Sequence, residues 1–95
     1  MTPLSRDSAE LLAIEALSWL VGNEELLTVF LGSTGASAAD LRQRAREPEF
    51  LASVLDFLLM DDAWIAEFCA SADYKPDFPI RARAALPGGA HVNWT

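Results

Sequence analysis

The chain of 95 residues reads as all-α, a compact orthogonal bundle of five to six short helices, and three observations carry that reading. Apolar residues recur at helical spacing in every long segment, with no period-two alternation of the kind a half-buried strand shows. The segments are separated by short stretches rich in Gly, Pro, Asn and Asp. Hydrophobic residues make up 52% of the chain and there is one cysteine, so a core forms without a disulfide.

The run 50–60 is the expected core element. Leu51, Val54, Leu55 and Leu58 fall at i, i+3, i+4 and i+7, and Phe50, Phe57 and Leu59 widen their stripe. Only Ser53 and Asp56 interrupt it with polar groups, so other helices are expected to surround it.

Before this run the sequence predicts three helices. Asp7 and Glu10 have capping-box spacing, with Ser5 or the Thr2-Pro3 pair as earlier starts, ahead of the apolar series Leu11, Leu12, Ile14, Leu17, Trp19, Leu20 and Val21. Gly22 is suited to the C′ position, where φ becomes positive, and Asn23 to the next N-cap. Glu24 and Glu25 then lie in a first turn, where the helix dipole favours negative charge. This second helix is expected to stop at Gly32, leaving 32–35 as a loop. Ser37 is placed to cap a third helix, assisted by Asp40, with Ala38, Leu41 and Ala45 inward. Pro48 disfavours helical geometry at Glu47 and suits a first helical position, so the core helix begins there.

Beyond Met60 the apolar stripe resumes at Ile65, Phe68, Cys69 and Ala72. A single unbroken helix would place Asp61 and Asp62 on that stripe, and burying an unpaired carboxylate costs several kcal/mol. A break at Asp61 makes one an N-cap and the other a first-turn acid. The fifth helix is therefore expected from about Asp62 to about Ala72. A connector over 73–77 leads to a last short helix with Asp77 as N-cap, Pro79 in its first turn, and Phe78, Ala82, Ala85 and Leu86 on its apolar side. Pro87 and the two glycines after it end the single expected domain, 1–89. The remainder, 90–95, is expected to be a flexible tail.

Four segments together carry a resemblance: Leu12-Ala-Ile-Glu-Ala-Leu-Ser-Trp-Leu20, Phe30-Leu-Gly-Ser-Thr-Gly-Ala-Ser-Ala-Ala-Asp-Leu-Arg42, Phe50-Leu-Ala-Ser-Val-Leu-Asp-Phe-Leu58 and Ala82-Arg-Ala-Ala-Leu-Pro-Gly-Gly89. In order and spacing they resemble a small uncharacterised bacterial family, a domain of unknown function found mainly in alphaproteobacteria. The resemblance implies a bacterial, stand-alone helical domain, and it brings no activity, cofactor or site residue with it.

The formal net charge of −7 disfavours binding to phosphate backbones or anionic membranes. No apolar run approaches the roughly 18 residues of a membrane span, and no secretory leader is visible. A cytoplasmic location is expected, consistent with the lone cysteine. The positive charge is gathered in two places, Arg42, Arg44 and Arg46, and Lys75 with Arg81 and Arg83.

The stretch from the second helix to Arg46 has a helix-turn-helix layout. In a recognition helix, Ser37, Ala38, Arg42, Gln43 and Arg44 would face bases and Arg46 would reach phosphate. Against this stand the acidic balance and the nearby Asp40, Glu47 and Glu49, which pair such arginines on an ordinary solvated face.

Catalysis finds little support. His91 lies in the tail, Cys69 falls on an apolar face, and capping explains the Asp61/Asp62 and Glu24/Glu25 pairs. No metal, cofactor-binding or catalytic residue is expected, and the reading is non-enzymatic. The first helix, however, is apolar over more of its circumference than a peripheral helix needs, and the second is similar, so an apolar face near these two helices is expected. Trp19 and Leu20, together with Trp64, are the expected interaction face, serving an unknown protein partner or a second copy of the chain. Trp94 in the tail is a further candidate to dock on it.

Overall fold

In the computed structural model, which describes residues 4–87, the described chain contains six α-helices and no strand. They are α1 (Arg6–Val21), α2 (Glu24–Thr34), α3 (Leu41–Arg44), α4 (Pro48–Leu58), α5 (Asp62–Ala72) and α6 (Phe78–Ala84), with a 3-10 turn at Ala38–Asp40 before α3. The all-α bundle read from the sequence is what the chain builds. The tail at 90–95, with His91 and Trp94, lies outside the described residues.

The core follows α4 as its periodicity requires. Phe50, Leu51, Ala52, Val54, Leu55, Phe57 and Leu58 are all buried there, and Leu55 is 0% exposed. Helix α4 shares the centre with α1, which packs chiefly against α4 and α6 and also meets α2 and α5. The reason lies in the small side chains of α1. Ala9, Ala13 and Ala16 lie on one side of the helix with Leu12 and Leu20, every one of them buried, so neighbouring backbones come close. Phe30 is the one fully buried anchor of α2, edge-on to Phe50 at 5.7 Å and to Phe57 at 5.3 Å between centroids. Phe68 brings α5 against Trp19 of α1 at 6.2 Å.

The helix ends show which local signals were decisive. Ser5, one of the two starts earlier than Asp7 that the sequence allows, caps α1, its hydroxyl oxygen accepting from the Ser8 N–H at 3.1 Å. Asn23 caps α2 through the Leu26 N–H. Asp61 does break the long apolar run, its carboxylate accepting from the Ala63 N–H at 2.8 Å.

Two expectations fail at glycines. Gly22 keeps a right-handed φ of −78°, so its conformational freedom is not used. Gly32 does not end α2, which runs on to Thr34 and stops at Gly35 with φ of 76°. There the Thr34 hydroxyl donates to the Phe30 carbonyl while its oxygen accepts from the Ala36 N–H, and the Gly35 N–H reaches Leu31 O. The turn closes three residues later than composition suggests because the polar partner of those groups is Thr34. At the start of α6, Asp77 precedes the helix without a capping hydrogen bond from its side chain.

Candidate interaction face

The third helix departs furthest from expectation, and its shape decides what the arginine cluster does. In place of one helix over 37–46 there is a 3-10 turn and a four-residue α3. Ser37 makes no cap to the backbone; its hydroxyl donates instead to the Asp40 carboxylate at 2.8 Å. The 3-10 turn and α3 together make about 12 Å of helical chain, seven residues in place of the ten expected over 37–46. The helix-turn-helix reading is left with a shortened second helix.

The three arginines of the cluster also part company. Arg44 is engaged within the fold, 3.7 Å from the Glu47 carboxylate and with its guanidinium 4.9 Å from the centre of the Phe50 ring. Arg42 and Arg46 are exposed, and among the described residues no carboxylate lies within ion-pair distance of either. In the second basic cluster, Arg83 holds Asp56 through two nitrogens at 2.6 and 3.3 Å and also donates to Pro87 O, tying α6 to α4. Arg81 pairs with Asp77 at 3.5 Å and lies over Phe78.

The expected apolar face is only partly where the sequence put it. Leu20 is fully buried in the core and so cannot belong to an open surface. Trp19 and Trp64 are half-buried; Trp64 stacks on Phe57 with centroids 4.8 Å apart, which holds its ring against α4. The apolar groups that α1 does leave open are Leu11, Ile14 and Val21, at 57%, 43% and 49% exposure. Their spacing of i, i+3 and i+10, with Ser18 between, places them on one stripe opposite the alanine side.

Two members of the stripe, Ile14 and Val21, border a groove of about 520 Å³ between α1 and α3, where with Leu17 they face Leu41 and Ala45, and Arg42 stands at the edge; Leu11 lies over a separate concavity with Tyr74 and Phe78. Arg42 and Arg46 also line the adjoining concavity of about 370 Å³. The site is therefore an apolar trough on one side of the molecule, with Arg42 at its rim and Arg46 beyond it in the adjoining concavity.

A family model described as Protein of unknown function (DUF3572) matches residues 6–89. The chain belongs to that family. The match takes in all six helices and both walls of the groove. No curated protein and no solved structure was found to match the chain.

Elsewhere in this DUF3572 chain two titratable groups, Tyr74 and Cys69, are tied into packing. Tyr74 donates its hydroxyl to Glu15, joining the connector before α6 to α1, and its ring lies between Phe68 and Phe78. Burial, then the hydrogen bond and charge of Glu15, push the phenol up to about 12. Cys69 is buried and unpaired, with its thiol donating toward Lys75 O. Burial and then the charge of Asp77 push its pKa up, away from the thiolate form a nucleophile needs. Among the described residues there is no cluster of His, Cys, Asp and Glu able to hold a metal ion, and no helix long and apolar enough to cross a membrane.

Leu11, Ile14 and Val21 were missed because α1 is apolar on both sides, so periodicity alone does not fix its rotation. A usable signal was nevertheless present. Alanines at 9, 13 and 16 mark the side that other helices approach closely, and the larger residues opposite are then the ones left outside.

Proposed function

We propose that this chain is a non-enzymatic interaction module that binds a segment of another protein along the outer face of α1. The observation that carries the reading is the pair Ile14 and Val21, large apolar groups left open on α1 and facing Leu41 and Ala45 across a groove, with Leu11 open further along the same helix stripe. Aligned exposure of this kind leaves hydrophobic free energy unused by folding and available to a partner. A second copy of the chain is the poorer occupant, since each copy carries a net charge of −7 and two copies repel. The buried, unpaired Cys69 suits work in a reducing compartment such as the bacterial cytoplasm.

The test is selection of a displayed library of random peptides on the full chain, run in parallel on Ile14→Asp. Peptides enriched on the wild-type chain and lost on Ile14→Asp, with both proteins melting alike by circular dichroism, are the expected result. Enrichment that ignores Ile14→Asp would overturn the reading. So would a dimer seen by light scattering at micromolar concentration that Ile14→Asp dissociates, since the face would then serve self-association.

A further inference from the structure

The rim of the groove carries information about what fills it. Arg42 and Arg46 are four residues apart, one within α3 and one two residues beyond its end, both exposed, in a protein whose acidic groups outnumber its basic ones by 14 to 7. The other basic groups near this region are engaged. Arg6 pairs with Glu10 at 3.3 Å, and Arg44 is held by Glu47 and Phe50. Asp40, the carboxylate closest in sequence to Arg42, takes the Ser37 hydroxyl instead. Among the described residues two guanidinium groups are thus left without a carboxylate, Arg42 at the edge of the apolar trough and Arg46 in the concavity beside it.

Resting on the docking reading above, we infer that the segment bound is an amphipathic helix with acidic residues along one flank of its apolar stripe, which Arg42 and Arg46 hold. The length suits this. The α1 wall of the groove, from Ile14 to Val21, is about 10 Å long, close to two turns of a helix laid alongside, and apolar anchors at i, i+3, i+4 and i+7 of such a helix fit a trough of this form. The charges supply register and selectivity. A guanidinium meets a carboxylate through two parallel hydrogen bonds, and a basic helix in the same trough would face both arginines and be rejected. Double-stranded nucleic acid offers anions without the apolar stripe and leaves Leu11, Ile14 and Val21 uncovered. It is therefore the alternative to eliminate.

The experiment takes the peptides enriched on the full chain and measures their binding to wild type, Ile14→Asp and Arg42→Glu/Arg46→Glu by fluorescence anisotropy. A duplex DNA is carried in parallel, and every variant is checked for an unchanged melt. Acidic residues beside the apolar stripe are expected in the enriched set. The double arginine variant should bind them at least about tenfold more weakly at low salt, because each exposed pair contributes about two- to fivefold and reversal adds repulsion. The difference should shrink when salt rises toward about 0.5 M. Peptides that need Ile14 but bind the double variant equally well would overturn the acidic flank and leave the docking face standing. A set with no dependence on Ile14 would overturn both. Duplex DNA held by wild type and released by the double variant, with no peptide enriched, would assign the arginines to phosphate and overturn the inference.

Discussion

Replacing Leu55 by Ala tests the packing on which the arrangement of the helices rests. Leu55 is 0% exposed near the middle of α4, with Val54, Leu58 and Leu51 buried about it. The substitution removes about three carbon groups, each contributing roughly 0.8 kcal/mol by transfer from water, or about 2.4 kcal/mol together. A cavity in a core that relaxes only partly raises the total to about 3–4 kcal/mol. A domain of this size is stable by about 5–14 kcal/mol, so the loss is a large share of the whole. The melting temperature should fall by roughly 12–30 °C. Urea denaturation followed by circular dichroism measures the loss, with the denaturant slope unchanged if only stability has altered. Leu11→Ala is the matched control, since the same atoms leave a side chain that is 57% exposed and the cost should stay under about 1 kcal/mol. If Leu55→Ala cost less than about 1 kcal/mol, or the two variants lost the same amount, the assignment of inner and outer faces would be wrong.

Other outcomes follow from the helix ends and the one tyrosine. Asp61→Ala should cost about 0.5–2 kcal/mol by removing the cap on the Ala63 N–H, and a gain in stability would refute the capping role. Gly35→Ala should cost on the order of 1 kcal/mol in thermal melts; nothing lies within 4 Å of an added Cβ, so the whole penalty comes from holding a φ of 76°. Tyr74 should titrate near 12 by phenolate absorbance, and Glu15→Gln should lower the midpoint without returning it to the ordinary value of about 10, because burial is the larger cause. A folded-state value above the unfolded one means the contribution of Tyr74 to stability is full below about pH 10 and lost as pH rises toward 12. A midpoint near 10 in the wild-type chain would contradict the Tyr74–Glu15 contact.

What the sequence made legible was whatever local chemistry decides. The break at Asp61 could be read because two carboxylates cannot lie unpaired on a core stripe. The start of α4 could be read because proline fixes its own geometry and restricts Glu47. The end of α2 could not, since Gly32 and Gly35 look equivalent until Thr34 places its hydroxyl between Phe30 O and the Ala36 N–H. Nor could the shortness of α3, where Ser37 bonds to the Asp40 side chain rather than to the backbone. The site was half legible. Arg42 and Arg46 stood out as charge, and the excess apolar surface of α1 as composition. Which side of α1 stays open depends on how closely Ala9, Ala13 and Ala16 let its neighbours approach, and that is a property of the assembled bundle.

The most direct measurement replaces Leu11, Ile14 and Val21 together by Ser and compares the melt and the peptide binding of the variant with those of the wild-type chain. An outer face reserved for a partner contributes little to folding. At under about 1 kcal/mol for each half-exposed side chain, the variant should melt less than about 15 °C below wild type and bind none of the peptides selected on it. A melt lowered by more than about 15 °C would show that these side chains belong to the core. Peptide binding that survives the triple change would contradict the proposed use of the face.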